Sequence, residues 1–383
     1  MKTKILFMLM PVMSMALTSC GQVMDFRKEE NLDKYVLSMD YHENFNVLQL
    51  TDIHWNYNSS TSRSKQYLDK VFAEADAHLH SRGQKVDLVE LTGDQFMLSN
   101  TYHVKTFIKF MEEEAEKYDF TYTAIWGNHD RHGLYNPNWL ADQFKNAKHC
   151  LYVEPNDNLY GRSNFVINLE LAGVSMWQLF NLDSGASFSE TAVSPFKDYD
   201  YIRKDQTEWF KLEHKHLGEL APSLAYYHIP QDENLKAWNA IHEDNVPLKN
   251  KFFKLEEFAD NGMEEYASDF IDEAAKLGLK GAFMGHAHNV DWTVEYLVDN
   301  LYPVVIGLGV KTGTELYFAH IEQDSEDPLM KEGLKTIESS GITENFDLIG
   351  ASLVTLKTGG LFDLEHLYLN ERASGDFIAW VEW

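Results

Sequence analysis

The stretch FTYTAIWGNHD, residues 120–130, begins as an apolar run and ends in hydrogen-bonding and ionisable side chains. The apolar part has the composition of a buried β-strand. Two interpretations fit the polar end. Asn and Asp favour turns because their side chains hydrogen-bond to nearby backbone, and Gly127 supplies the freedom that a turn needs. Alternatively, Asn128, His129 and Asp130 belong to a functional site at the end of the strand.

The same succession of an apolar run and a polar end occurs twice earlier in the chain. The run FNVLQL, residues 45–50, stops shortly before Asp52, and VDLVELTGD, residues 86–94, ends at Asp94. Apolar residues at helical spacing separate the three runs: Leu68, Val71, Phe72, Ala75 and Leu79, then Val104, Phe107, Ile108, Met111 and Ala115. This alternation predicts an α/β fold with a largely parallel sheet, in which ligands bind at the carboxyl ends of the strands.

The second half of the chain is richer in strands. Residues 163–184, SNFVINLELAGVSMWQLFNLDS, predict two strands with no helix between them. A helix near 203–217 leads into a strand that ends at His228, and GLKGAFMGHAH, residues 278–288, ends on two histidines. An antiparallel region therefore adjoins the parallel one, and further polar side chains follow its strands.

The domain organisation follows from the absence of repeats, low-complexity tracts and Pro- or Gly-rich linkers. We expect a single domain over residues 41–383. The segments near 242–264 and 311–347 show no clear periodicity, which predicts insertions or loops.

The N-terminal residues 1–20 have the pattern of an export signal. Two lysines precede a short apolar run that is too short to span a bilayer, and the sequence LTSC then resembles the lipobox of bacterial lipoproteins. An ordinary signal peptide that happens to contain a cysteine is the alternative. We expect lipidation at Cys20, a polar linker over residues 21–40, and an exported domain anchored to the bacterial cell envelope, facing the periplasm or the outer surface.

Composition excludes several classes of partner. The chain has 383 residues, 44% of them apolar, and a formal net charge of −27. Such a chain can bury a sizeable core, but it lacks the basic surface that nucleic acids or anionic lipids require. We therefore expect no nucleic-acid-binding surface, and membrane contact only through the lipid anchor.

The residues that follow the predicted strands share one chemistry, because each is a carboxylate, a carboxamide or an imidazole. They are Asp52, His54, Asp94, Asn128, His129, Asp130, His228, His286 and His288. Mixed oxygen and nitrogen ligands suit Mn, Fe, Zn or Ni, and the set is too large for one ion. A carboxylate such as Asp94 can bridge two ions about 3.5–4 Å apart.

Five blocks in this order, TDIH, TGDQ, GNHD, a strand-end His228 and GHAH, resemble the motifs of the calcineurin-like metallophosphoesterase family. The flanking stretches NLDSG, DQTEWF and AYYHIP are similar to its purple-acid-phosphatase-like branch. The resemblance implies a four-layer αββα sandwich of two mixed β-sheets with flanking helices. One position departs from purple acid phosphatases: Met97 stands where they have a tyrosine ligand, so no tyrosinate–iron colour is expected.

The resemblance also implies roles for the strand-end residues. One divalent metal ion would be held by Asp52, His54 and His288, and a second by Asn128, His228 and His286. In that scheme Asp94 bridges the two ions, His129 is the general acid, and Asp130 orients its imidazole. The substrate-binding residues stay unassigned.

Hydrolysis of phosphate esters by a metal-activated water is the predicted function, with monoesters as the favoured substrates. The alternatives are a phosphodiesterase acting on nucleotides, lipid head groups or envelope polymers, and a lipid-anchored binding protein without turnover. An intact His129 argues against the binding protein, which needs no general acid. Arg131 and His132 could contact a substrate phosphate, but a solvated loop after the motif is the favoured interpretation. His214, His216 and His242 are interpreted as solvated side chains.

Overall fold

A computed structural model gives the architecture of the chain. It describes residues 29–55, 61–131, 137–153, 159–186, 199–234, 236–237, 268–288, 291–314, 319–321, 346–370 and 378–382.

Fourteen β-strands and five α-helices begin and end within the described residues. The strands are β1 (Val36–Asp40), β2 (Phe45–Leu50), β3 (Leu88–Thr92), β4 (Thr121–Ile125), β5 (Phe165–Leu171), β6 (Val174–Asn181), β7 (Ser223–Tyr226), β8 (Leu279–Met284), β9 (Trp292–Val298), β10 (Tyr302–Leu308), β11 (Ala319–Ile321), β12 (Phe346–Leu356), β13 (Phe362–Asn370) and β14 (Ile378–Glu382). The helices are α1 (Thr61–His80), α2 (Thr101–Tyr118), α3 (Pro137–Lys145), α4 (Lys204–Gly218) and α5 (Phe270–Ala275). Short 3-10 helices cover Glu29–Tyr35 and His129–Arg131.

The first sheet contains the three predicted parallel strands. Its order is β14-β13-β12-β2-β3-β4, with β11 paired to β12. Strands β2, β3 and β4 run parallel, with Leu48 opposite Val89 and Val89 opposite Tyr122. Strand β12 pairs antiparallel with β2, so the sheet is mixed. The parallel strands are buried on both faces, which explains their almost continuous apolar sequences.

The second sheet has the order β1-β5-β6-β7-β8-β10-β9. Strands β6, β7, β8 and β10 are parallel to one another, while β5 and β9 are antiparallel to them. The predicted hairpin between β5 and β6 is confirmed. Its turn contains Ala172 and Gly173, both with positive φ.

The helices cover the outer faces of the two sheets. Helix α2 packs on β4 and contacts α1 and α3, whereas α4 packs on β6, and α5 packs on β8 and β10. Between the sheets, Gln49 of β2 donates a hydrogen bond to the backbone oxygen of Met284 in β8 (3.2 Å). The predicted four-layer αββα sandwich is therefore confirmed.

The predicted linker over residues 21–40 is wrong at its C-terminal end. Strand β1 pairs in parallel with β5, placing Val36 opposite Val166. The preceding Tyr35 packs its ring against Trp209 of α4 at 5.7 Å. This pairing joins segments that are distant in sequence, so local composition does not reveal it.

Several other predictions concern residues outside the described part of the chain. Residues 1–20 and 242–264 lie there, as does most of 311–347. Among the described helices, none is both long and apolar enough to cross a membrane.

Candidate metal centre

The polar strand ends meet at one end of the sandwich. Backbone hydrogen bonds continue beyond strands β2 and β3, from Asp52 N to Gly93 O (3.1 Å) and from His54 N to Asp94 O (2.9 Å). Asp52, His54, Asp94 and His286 all have positive φ. For residues other than glycine this conformation costs about 1–3 kcal/mol and is typical of functional sites.

The first group of predicted ligands consists of Asp52, His54, Asp94 and His288. One ligand atom from each lies within 4.8 Å of the others. The Nε2 atoms of His54 and His288 are 2.9 Å apart, and His288 Nε2 lies 3.0 Å from Asp52 Oδ1. His54 Nε2 lies 3.7 Å from Asp94 Oδ2. Four candidate ligand atoms therefore lie close enough together to hold one ion.

The second group shares Asp94 with the first. One ligand atom each from Asp94, His228 and His286 also lies within 4.8 Å of the others. His228 Nε2 lies 3.3 Å from Asp94 Oδ2 and 3.2 Å from Asn128 Oδ1, and His286 Nδ1 lies 3.0 Å from the same Asn128 oxygen. Asp94 is thus placed between the two groups, where a bridging carboxylate is required.

The ligand atoms fit bound metal ions. Asp52 Oδ1 and Asp94 Oδ2 are buried and have no hydrogen-bond partner among the described residues. A histidine nitrogen lies near each oxygen, at 3.0 Å from Asp52 Oδ1 and 3.3 Å from Asp94 Oδ2, but two ionised carboxylates remain costly at this depth without further positive charge. Divalent ions would supply that charge, and the imidazole, carboxylate and amide donors suit transition metals.

Glycines in the motifs permit this close packing. A Cβ atom on Gly127 would collide with Asp94 Oδ1, and a Cβ on Gly285 would collide with Thr51 Oγ1. The glycines of GNHD and GHAH are therefore steric requirements of the site, beyond any role in turns.

Burial and the neighbouring charges set the protonation states of the site. Burial lowers the pKa of His54 and His288, and it lowers the pKa of His286 to about 3. Burial raises the pKa of Asp94, but the charge of His228 outweighs this and holds it well below its usual range. Burial alone would lower the pKa of His228, but the neighbouring Asp94 carboxylate raises that pKa to about 9. Three of the histidines are therefore neutral, as metal ligation requires, and a metal ion would displace the proton of the fourth.

His129 lies beside the first group of ligands. Its backbone N–H donates to Asp94 Oδ1 (2.7 Å), and its ring lies edge-to-face with that of His54 at 4.9 Å. The imidazole is partly exposed, while that of His54 is buried. His129 therefore lies beside the converging ligand atoms, belongs to neither group, and has its ring partly open to solvent.

Asp130 fixes the loop that carries His129. Its Oδ2 accepts the backbone N–H of Gly127 (2.8 Å) and its Oδ1 accepts that of Phe96 (3.0 Å). Ser99 Oγ donates to the backbone oxygen of Asp130 (2.6 Å). These contacts hold the backbone around His129 in place; the orientation of its imidazole by Asp130, which the resemblance implies, stays a prediction.

The interpretation of Arg131 as part of a solvated loop is wrong. Its guanidinium pairs with the carboxylate of Asp183, which follows β6 and is fully buried. Asp183 also accepts backbone N–H groups from Arg162 (2.5 Å) and Gly185 (3.0 Å). The ion pair ties the GNHD loop of the first sheet to the second sheet.

The other histidines differ from the sequence-based expectation in one case. His214 is buried in α4, where its Nδ1 lies 2.7 Å from Gln178 Oε1. His216 is exposed, as expected. His132 and His242 lie outside the described residues.

Two residues near the site were missed by the sequence analysis. Lys311 follows β10, is buried, and donates from Nζ to the backbone oxygen of Asp52 (3.1 Å). Tyr199 places its ring edge-to-face against His286 at 4.3 Å and is partly exposed. The sequence does mark Lys311, because it is a lysine within the apolar stretch that follows β10. Nothing in the local sequence marks Tyr199.

Two mixed sheets with aspartates, histidines and an asparagine converging at their strand ends define a metallophosphoesterase. The chain belongs to the calcineurin-like phosphoesterase family, whose family model matches residues 45–290.

Comparison with curated proteins finds two relatives from Arabidopsis thaliana. The chain is 24% identical to probable inactive purple acid phosphatase 29, over 66% of this chain and 68% of the relative. It is 23% identical to probable inactive purple acid phosphatase 28, over 65% of this chain and 66% of the relative.

Similar solved structures include a Haemophilus influenzae NAD nucleotidase, at 13% identity and a TM-score of 0.43, covering 89% of this chain and 54% of that one. Another is the protein TT1561 of Thermus thermophilus, at 9% identity and a TM-score of 0.36, covering 70% of this chain and 90% of that one.

Proposed function

We propose that the chain is an active phosphate ester hydrolase with a two-metal centre, and that phosphomonoesters are its substrates. The observation that carries this proposal is the position of Asp94, which belongs to both groups of ligand atoms. A shared carboxylate supports two ions close enough to act on one phosphoryl group.

The residues divide into two sets of ligands and a proton donor. Asp52, His54 and His288 would hold one ion, and Asn128, His228 and His286 the other, with Asp94 between them. Bound divalent ions would activate water and stabilise charge on the phosphoryl oxygens.

His129 acts on the leaving group in this proposal. Its partly exposed ring beside His54 is suited to donate a proton to the departing oxygen, while its backbone N–H holds Asp94. The Asp130 contacts and the Arg131–Asp183 ion pair keep the loop in place.

Electrostatics limit the substrate that the site can accept. A chain of net charge −27 repels phosphate esters unless cations dominate locally. Two divalent ions would outweigh the charges of Asp52 and Asp94, and the buried ammonium of Lys311 adds to them. The site therefore attracts phosphate only when it is loaded with metal.

A binding protein without turnover is the second candidate, because both Arabidopsis relatives are named as probably inactive. The complete ligand set and the placement of His129 support catalysis in this chain. Those relatives, together with the NLDSG and AYYHIP stretches, support a place in the purple-acid-phosphatase-like branch, and Met97 predicts a colourless protein.

The test is hydrolysis by the purified chain after loading with Mn, Fe, Zn or Ni. We expect turnover of a phosphomonoester to exceed that of the matching diester, and the Asp94→Asn variant to be inactive on both. Faster hydrolysis of the diester would support the phosphodiesterase alternative. Metal uptake without hydrolysis of either substrate would support the binding protein.

We propose further that the chain is exported and anchored to the cell envelope by lipid at Cys20, as the LTSC sequence suggests. Cys20→Ala should abolish incorporation of a fatty-acid label and release the protein from membranes. Unchanged attachment would mean that another anchor exists.

A further inference from the structure

The end of the sandwich opposite the metal centre carries a set of exposed apolar side chains. We call this set the leucine row; its members are Leu171, Val174, Leu220, Leu277, Leu297, Leu301 and Leu361, with exposed fractions from 38% to 94%. They lie at or beside the turns between β5 and β6, α4 and β7, α5 and β8, β9 and β10, and β12 and β13.

The strand order places these side chains in a line across the strand ends on one side of the second sheet. The strands β5-β6-β7-β8-β10-β9 are consecutive neighbours in the second sheet. Five spacings of about 4.8 Å separate the first strand from the last, so the row is about 24 Å long. Leu361 faces it from the first sheet, because a Cβ on the adjacent Gly360 would lie 3.2 Å from Pro222 at the start of β7.

The leucine row combines exposed apolar side chains with nearby lysines, as surfaces that insert into a lipid interface do. Its apolar side chains stand on or beside separate turns at one end of the sandwich. Ion pairs lie between them, such as Lys276 with Asp299 (3.3 Å) and Lys357 with Asp363. Lysines of this kind can extend to the head groups while neighbouring leucines enter the acyl region.

The N-terminal chain enters the described structure at the same end. Asp33 Oδ1 lies 2.7 Å from Nε2 of His216, near the end of α4, and α4 leads directly to the turn that carries Leu220. Cys20 precedes Glu29, the first residue of the 3-10 helix that contains Asp33, by nine residues, which span at most about 32 Å when extended. A lipid on Cys20 can therefore reach the plane of the row.

We propose that the leucine row rests on a lipid bilayer, adding a second contact to the N-terminal anchor. The metal centre then faces away from the membrane. This inference rests on the proposed lipid attachment and is independent of the proposed phosphoesterase activity. It extends the sequence analysis, which expected membrane contact only through the anchor; the row is assembled from separate turns and leaves no stripe in the sequence.

The experiment uses the full lipidated chain in vesicles of the zwitterionic lipids phosphatidylethanolamine and phosphatidylcholine, because the acidic chain has no basic surface for anionic lipids. An environment-sensitive fluorophore is attached through Leu220→Cys, or through Leu98→Cys as the matched control. Leu98 is 47% exposed and lies next to Ser99, which contacts the GNHD loop at the metal end. The parent chain, labelled in the same way, gives the background from Cys150.

We expect lipids with brominated acyl chains to quench the probe at 220 at least about fivefold more than the probe at 98. A Leu301→Cys probe should be quenched likewise, and should lose that quenching when Leu220→Asp and Leu361→Asp are added, while metal content reports an intact fold. Leu98→Asp should leave the Leu301→Cys signal unchanged.

Equal quenching at 220 and 98 would overturn the inference, because the domain would then be tethered without a preferred face. A chain that leaves the vesicles altogether would overturn both the lipid attachment and this surface. Loss of phosphoesterase activity in these samples would affect only the proposed function.

Discussion

The buried ion pair between Arg131 and Asp183 gives a prediction that links stability to the GNHD loop. Arg131→Met would leave the Asp183 carboxylate fully buried without its cation. Removing one partner of a buried pair costs about 3–5 kcal/mol. Asp183 keeps two backbone N–H donors, from Arg162 and Gly185, so we expect a loss of about 3 kcal/mol in the free energy of unfolding.

The reverse change should cost less. In Asp183→Asn the guanidinium of Arg131 keeps partial access to water, because its side chain is 19% exposed. Loss of one hydrogen bond to a charged partner predicts about 1.5–3 kcal/mol. In the double variant no charge is left unpaired, so its destabilisation should be about 2 kcal/mol smaller than the sum of the single effects.

Denaturant unfolding of the four proteins measures this coupling, and metal content and activity are followed in parallel. The exposed pair of Lys85 and Asp119, at 2.6 Å, is the matched control and should couple by less than about 1 kcal/mol. Additivity within about 0.5 kcal/mol for Arg131 and Asp183 would refute the reasoning. Coupling without any loss of activity in Arg131→Met would show that the loop keeps its place without the ion pair.

Three further predictions concern the ligands, the proton donor and pH. Asp94→Asn should lower occupancy of both metal sites, whereas His54→Ala should lower only one, and metal analysis that finds equal losses would contradict the assignment. His129→Gln should retain both metals yet lose about 100- to 10,000-fold in turnover of an alkyl phosphate, and less on a nitrophenyl ester; loss of metal would make His129 a ligand. Burial raises the pKa of Glu213 to about 8, so the folded chain holds a proton there that the unfolded chain releases near pH 4.5, and stability falls as pH rises between these values. Glu213→Gln should therefore become up to about 2.5 kcal/mol more stable relative to the parent between pH 5 and 7, with the exposed Glu208→Gln as control; parallel pH curves for Glu213→Gln and the parent would contradict the shift.

Local sequence patterns predicted the parallel part of the fold well. Strands β2 and β3 each combine an apolar run with a helix stripe on its C-terminal side, β4 repeats the apolar run, and each pair of signals lies within about thirty-five residues. The convergence of the strand-end side chains was predictable for the same reason, since parallel strands bring their carboxyl ends together.

Features that depend on pairing between distant segments could not be predicted in this way. Strand β1 joins β5 about 130 residues later, Arg131 pairs with Asp183, and His214 is buried by Gln178 on β6. In each case a polar or short segment looks solvent-exposed until its partner is known. Tyr199 belongs to the same class, because only the fold brings its ring to His286.

The residues of the candidate metal centre are far apart in the sequence, which limits how early the centre can form during synthesis. His54 and His288, whose nitrogens are 2.9 Å apart, are separated by 234 positions in the chain. Strand β2, which leads into Asp52 and His54, also lacks its neighbour β12 until residue 356 has been made. A nascent chain therefore cannot assemble either ligand group until most of its length is available. Assembly of the candidate metal centre is accordingly a late event, which requires at least the first 288 residues of the polypeptide.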